Sequence, residues 1–461
     1  MSNPSQNGSN ALQKSRTGLF ILGGSTYYTL LLIDSLRSNG VLEGLRRITL
    51  FGRNHQRLSL LAEMCQQLVD EYVRDVRVDI STDIHDCLHE DYGLLFNQIR
   101  FGGMSSRDQD EKIALQHGLA ADETIGIVGV SNAIRAIHGM TPYLDVIKNK
   151  AQPYTLVNFT NPCSILTQYM VSHYQLPVVG ICDYPQMMKS KIATALQCKP
   201  DALDMAYFGL NHFGVVHSVK VDGKEYLPEL LQSEFDQALP FKPQCNEYFN
   251  TLLNVSWRYV FEQQQVVQEQ QSKINRAAQL LEFESTMDAL LRDGIRDPNA
   301  YFEVLGQRNC DWFNLVVSPL FSNLLGLEQH TVIANAPAVT GDNALRNPLG
   351  LNAASCIMEG VCSPGGLQLE AQALPEALLQ SQEYALIRQM KQSELQLLQA
   401  IVSGDANGIV AACLVNPMIR ELGKVQAYFQ EVCLQDKLIQ RVFQNTQSLS
   451  PTQLFLPGDT V

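Results

Sequence analysis

Apolar and polar positions fall into two textures along the chain. Residues 18–22 (GLFIL) form a short apolar run that leads into Gly23-Gly24-Ser25-Thr26, and residues 28–36 then repeat their apolar positions at helical spacing. This reads as strand, glycine turn and helix. Similar short runs at 48–51, 76–80, 125–130, 155–159 and 178–181 read as further strands, separated by helical stretches of ten or more residues. Such alternation predicts an α/β, doubly wound parallel sheet with helices on both faces across residues 17–208. Residues 1–16 are polar and are expected to be a disordered tail. After residue 208 the texture changes. An alternating stretch at 215–221, closed by Asp222-Gly223, predicts a hairpin arm, and 332–336 predicts another strand. Gln-, Leu- and Glu-rich stretches at 248–291 and 376–401 read as long helices, so residues 209–461 are expected to form a mixed α+β, mostly helical second domain.

Composition narrows the function classes. The 461 residues are 45% hydrophobic, enough for real cores, and carry 34 Lys plus Arg against 47 Asp plus Glu, a formal net charge of −13. That balance disfavours nucleic acid or an anionic membrane as partner and points to a small molecule or a protein. The 11 cysteines are scattered, with no CxxC pair, which reads as reduced thiols in a cytoplasmic protein. No apolar leader and no 18-residue apolar run is present in the sequence.

Several short segments carry candidate chemistry. The turn from Gly23 to Thr26 offers backbone N–H groups and a helix N-terminus to a pyrophosphate, although an ordinary βα turn would look the same. Leu22 stands where the full glycine fingerprint wants glycine. Gly52-Arg53 ends the second strand where dinucleotide binders place an acid for the ribose; Arg53 suits a 2′-phosphate, or the acidic contact is simply lost. In residues 96–117, Arg100, Arg107, Lys112 and His117 surround Gly102-Gly103. This is either an oxyanion site or a loop neutralised by its own Asp108, Asp110 and Glu111. Cys182, beside Asp183, and His212 offer a soft S/N pair to a divalent transition metal, with positions left for substrate; singly, each also fits a core residue.

The series GGSTYYTLLL, FNQIRFGGMSSRDQDEKIALQHG, DETIGIVGVSNAIRAI, NFTNP, GICD, GLNHF and LVNPMI resembles the NAD- and manganese-dependent glycosidases of glycoside hydrolase family 4, and their lactate and malate dehydrogenase neighbours. The likeness runs from about residue 18 to residue 417. It implies a Rossmann-like first domain, bound NAD with NADP as a second option, Mn²⁺ or another divalent metal, and a homodimer or homotetramer. The implied reaction is hydrolysis of an α-linked glycoside, with or without a 6-phosphate, by oxidation, elimination, addition and reduction rather than by two carboxylates.

Position by position, the resemblance implies that Cys182 and His212 hold the metal and that Asp183, the residue after the ligand cysteine, is the general acid of an α-glycoside branch. It implies that Asn161 contacts a substrate hydroxyl, that Gly23, Gly24, Ser25 and Thr26 cradle the pyrophosphate near Arg53, and that Arg100 and Arg308 clamp a sugar phosphate. Tyr248 is the expected base, with Tyr259 and Tyr301 as fallbacks. Departures fall at Leu22, at Gly52 and in RNCDWFN, which replaces RGGAYYS, and the VEVP-type segment has no clear counterpart after residues 333–341. Two other readings remain open: a plain NAD(P)-dependent dehydrogenase, which would not need a Cys182/His212 metal, and a non-catalytic sensor that kept the fold.

Overall fold

The computed structural model describes residues 16–308, 311–338, 349, 351, 356–362, 367–370 and 373–444. All but one of the expected tail residues lie outside this set. The strands are β1 (Thr17–Leu22), β2 (Leu45–Phe51), β3 (Arg77–Ser81), β4 (Tyr92–Asn97), β5 (Thr155–Asn158), β6 (Val178–Gly180), β7 (Leu203–Leu210), β8 (Phe213–Val221), β9 (Lys224–Glu225), β10 (Leu252–Leu253), β11 (Ile333–Pro337) and β12 (Ile357–Val361). They join one sheet in the order β3-β2-β1-β4-β5-β6-β11-β12-β7-β8-β10, with β9 on β8.

The first six strands are all parallel and follow the 3-2-1-4-5-6 order of a doubly wound dinucleotide-binding sheet. The chain reverses direction of winding between β1 and β4, so the crevice between their carboxyl ends is where such sheets bind ligands. β1 lies at the centre, with Leu19, Phe20, Ile21 and Leu22 completely buried, because helices cover both faces. Leu22, the departure from the glycine pattern, pairs with Phe51 and Asn97 and serves as core.

Beyond β6 every pairing is antiparallel. The sheet therefore does not stop at the expected boundary: residue 208 lies inside β7, and one hydrophobic cluster runs from β1 to Phe443. Buried charge also ties the two halves. Arg135 makes a two-pronged pair with Asp110 (2.6 and 2.8 Å) and reaches Asp436 at 2.5 Å, near the last helix.

Two readings of the sequence need correction. Residues 125–130 do not form the fourth strand; they enter the helix Ile127–Ile147, and the sheet position belongs to β4. Two thirds of that helix is buried, so its first turns show an unbroken apolar run rather than a stripe, and a short run of that kind does not separate strand from buried helix. The stretch 248–291 is not one helix either. It contains β10 and then the helices Gln263–Gln271 and Arg276–Arg292, the second started afresh by Asn275, whose side chain accepts from Ala278 N at 2.9 Å. Among the described residues no helix is long and apolar enough to cross a membrane.

Candidate active site

The end of β6 delivers the central group. Ile181 N bonds Asn158 O at 3.0 Å, which fixes the chain as it leaves the sheet, and Cys182 and Asp183 follow before the helix Tyr184–Ala195. Asp183 takes the helix-capping position, yet its side chain caps nothing. It turns instead to Cys182, whose Sγ lies 3.8 Å from Asp183 Oδ1. Burial pushes the Cys182 thiol well above its ordinary value, and the Asp183 and Glu359 carboxylates push the same way. Burial also raises the Asp183 carboxyl, against the pull of His212. Asp183 is thus held toward its protonated form beside an imidazole, as a general acid requires.

His212 sits in the turn between β7 and β8, with φ of 59°. The left-handed region is costly for a residue with a Cβ, and such outliers gather at functional sites. Its ring centre is 5.4 Å from that of Tyr184. Cys182 and His212 thus supply one soft sulfur and one nitrogen, a donor set suited to a borderline divalent transition metal. Among the described residues no three His, Cys, Asp or Glu close around a common point. Among the described residues the buried Asn211 Oδ1, one position before His212, has no hydrogen-bond partner.

Arg100 and Arg107 converge on Glu123. Arg100 bonds one carboxylate oxygen and Arg107 Nη1 lies 2.6 Å from the other, while Arg107 Nε holds Glu111 at 2.6 Å. Burial raises the Glu123 carboxyl, but Arg100, Arg107 and His212 outweigh it and keep Glu123 below the usual carboxylate range. Glu123 therefore connects the arginine cluster to the His212 side of the site. The bases of 96–117 do not act as one patch. Lys112 pairs with Asp108 on the surface, and His117 faces Glu431. The Asn161 backbone oxygen accepts from Asn132 Nδ2 at 2.9 Å, and among the described residues its side-chain amide makes no hydrogen bond.

The turn Gly23–Thr26 lies at the crevice between β1 and β4. Gly23 has φ of 85°, and a Cβ there would come within 3.0 Å of the backbone of Gln98 and Ile99; a Cβ on Gly24 would come within 2.8 Å of Leu50 Cα. The following helix, Tyr28–Ser38, starts directly after this turn and has no side-chain cap at its N-terminus. This arrangement fits a pyrophosphate. A Cβ on Gly52 would lie 3.2 Å from Ser25 Oγ, a packing reason for glycine where an acid was expected, and Arg53 beside it is exposed and pairs with no carboxylate among the described residues.

Arg308 lies at the start of that helix, bonded to the Tyr28 hydroxyl and set against the rings of Tyr28, Phe283 and Trp312. Its place is beside the nucleotide turn.

The expected base is displaced. Tyr248 ends a 3₁₀ turn, is 78% exposed and interacts with Glu247, so it lies on the surface outside the buried group. Tyr301 is buried elsewhere, donating to Ile295 O and stacked on Tyr27. Of the three candidates Tyr259 is the one that reaches toward the site, through Tyr184: burial first, then Asp122 and Tyr184, raise its hydroxyl. Sequence reasoning also passed over Glu359. It stands alone as an acid in the apolar strand β12, which pairs antiparallel with β11; residues 339–341 of the stretch 333–341 lie outside the described residues. A single charge inside IMEGV was the available signal. Burial lifts Glu359 to about 7, although Tyr207, Asn211 and Asn335 donate to it.

The parallel 3-2-1-4-5-6 sheet with its glycine turn defines a Rossmann-type, dinucleotide-fold protein, with Cys182 and His212 at the ends of β6 and β7. The chain belongs to glycosyl hydrolase family 4: the model of "Family 4 glycosyl hydrolase" matches residues 19–198, and that of its C-terminal domain matches 207–419. Phospho-alpha-glucosidase PagL of Clostridium acetobutylicum is 29% identical over 214 residues, which are 46% of this chain and 48% of that protein. The matched stretch thus spans about half the length of that curated relative. The 6-phospho-beta glucosidase of Thermotoga maritima, solved with NAD and glucose-6-phosphate, superposes with a TM-score of 0.77 at 20% identity, covering 92% of this chain and 98% of that one. A 6-phospho-alpha-glucosidase from gut microorganisms, solved with NAD and Mn²⁺, gives 0.76 at 19% identity, covering 92% and 99%.

Proposed function

We propose that this chain hydrolyses an α-linked 6-phosphoglucoside with the help of a nicotinamide cofactor and a divalent metal. The observation that carries this reading is the gathering of Cys182, a proton-retaining Asp183 and the left-handed His212 turn at the carboxyl edge of the sheet. Family membership and relatives named as phosphoglucosidases, with NAD, Mn²⁺ or glucose-6-phosphate in the solved ones, support it. The α-linkage rests on aspartate following the ligand cysteine.

Cys182 and His212 would hold the cation, and Gly23–Thr26 the pyrophosphate. When bound, the two groups supply a Lewis acid and a hydride acceptor, which together acidify the sugar's C2–H. The protein's own side chains do the rest. Asp183 gives its proton to the departing glycosidic oxygen, a role favoured by the burial that raises its carboxyl. Tyr259 takes the C2 proton. Its hydroxyl is raised by burial in the protein alone, so it becomes a base only when positive charge enters the site. Arg100, already shared with Glu123, meets the 6-phosphate, and Asn161 offers its amide to a sugar hydroxyl.

The test is turnover of the four p-nitrophenyl glucosides (α or β, with or without 6-phosphate) in D₂O with NAD⁺ and Mn²⁺. The expected result is preference for the α-6-phosphate and deuterium at C2 of the released sugar. Absence of turnover with all four, or a product that keeps only protium at C2, would overturn the reading.

A further inference from the structure

One row of residues crosses the seam between the parallel and antiparallel halves of the sheet. Gly180 of β6 faces Asn335 of β11, Asn335 faces Glu359 of β12, and Glu359 faces Gly209 of β7. Cys182 lies two residues beyond one end of this row and His212 three beyond the other. Within the row Glu359 is the only charged residue, and it is buried. Tyr207 donates its hydroxyl to Oε2 at 2.7 Å, while Asn211 and Asn335 each donate an amide N–H to Oε1, at 3.2 and 3.1 Å. Glycines make the room: a Cβ on Gly214 would lie 2.2 Å from the Tyr207 hydroxyl, and one on Gly180 would lie 3.1 Å from Asn335 Cβ.

As a stabilising device this arrangement is poor. A buried carboxyl without a cation is costly to hold, three neutral donors offset that cost only in part, and an apolar residue of similar volume would pack the seam more cheaply. No cation pairs with Glu359 among the described residues. What the carboxylate does achieve is connection. Through Asn335 it reaches the strand that pairs with Gly180, ahead of Cys182. Through Asn211 it grips the residue before His212, whose backbone is held in the left-handed region.

We propose that Glu359 is a positioning residue that sets the Cys182 and His212 donors relative to one another, its arms being Asn335 toward one and Asn211 toward the other. It does not itself touch the metal. The inference rests on the reading of Cys182 and His212 as a metal pair.

The test uses the purified full chain, freed of metal and titrated with Co²⁺. Thiolate–Co²⁺ charge-transfer absorption reports Cys182, and the visible d–d bands report coordination geometry. Wild type is expected to show both, and Cys182→Ser to lose the first. Glu359→Gln is expected to bind Co²⁺ about 10- to 100-fold more weakly with altered d–d bands, the usual cost of removing a group that orients a metal ligand. Asn211→Ala, which leaves Glu359 in place and guards against misfolding of the first variant, is expected to weaken binding about tenfold while the charge-transfer band persists. Wild-type affinity and spectra in both variants would overturn the role of Glu359 alone. A wild-type protein with no charge-transfer band would overturn the metal pair itself, and the positioning role with it.

Discussion

The nucleotide crevice and the cysteine–histidine site lie on the same sheet but are built on opposite principles. At Gly23–Thr26 the protein explains itself. Each glycine is demanded by a neighbouring backbone, Ser25 fills the space beside Gly52, and Leu22 is core. Around Cys182 and His212 it does not. There the structure holds a buried thiol, a carboxyl raised by burial, a histidine in a costly conformation, a buried acid lifted to about 7, and unpartnered amide oxygens on Asn211 and Asn335. Sequence departures from the family struck the first region, yet it is the second whose energetics call for a bound group.

The sharpest way to break this contrast is to remove one ligand. Cys182→Ser is expected to lower kcat/KM by about 10³-fold or more, since a Lewis acid is worth several kcal/mol, while the NAD⁺-induced rise in melting temperature persists. Loss of that rise would mean that the two regions are not separable. Asp183→Asn is expected to cost about 10²-fold in kcat on a poor alkyl leaving group and much less on p-nitrophenyl, which leaves without a proton. An equal loss on both would remove the general-acid role.

The nucleotide side should answer in stability instead. Gly24→Ala forces a methyl within 2.8 Å of Leu50 Cα, and overpacking of this kind costs about 1–3 kcal/mol in denaturant unfolding even without nucleotide. An unchanged midpoint would refute the view that packing alone fixes this glycine. Glu225, on the β8–β9 hairpin away from both regions, calibrates the rest. Burial raises it, but Ser218 and the backbone N–H groups of Val219, Leu227 and Tyr226 outweigh that and lower it below 4.5. A lowered carboxyl stabilises the fold above its unfolded value and loses that stabilisation as pH falls through the folded value. Glu225→Gln should therefore cost below about 1 kcal/mol near pH 6, and in melting curves the difference from wild type should shrink as pH falls through the lowered folded value.

Much of this was legible in local pattern. β1, its glycine turn and the Cys182/Asp183 corner are contiguous in sequence, so period and motif sufficed. What escaped was non-local or disguised. The helix from Ile127 hides its period because most of its faces are buried, and β4 ran into a segment read for its charges. Tyr248 and Tyr259 are eleven residues apart, and spacing from His212 does not tell an exposed turn from a partly buried helix start. Glu359 meets Tyr207 and Asn211 across about 150 residues of chain, a distance no periodicity spans.

The sheet order also has a consequence for synthesis on the ribosome. β11 and β12 are made long after β6 and β7, yet they insert between them. Until they emerge, two strand edges wait unpaired, and the donors past those strands hang from edges that will end three strand spacings apart, roughly 14 Å. The first 212 residues therefore contain both donors without fixing their separation. A growing chain brings Cys182 and His212 to their final separation only when residue 361 has left the tunnel and closed the gap.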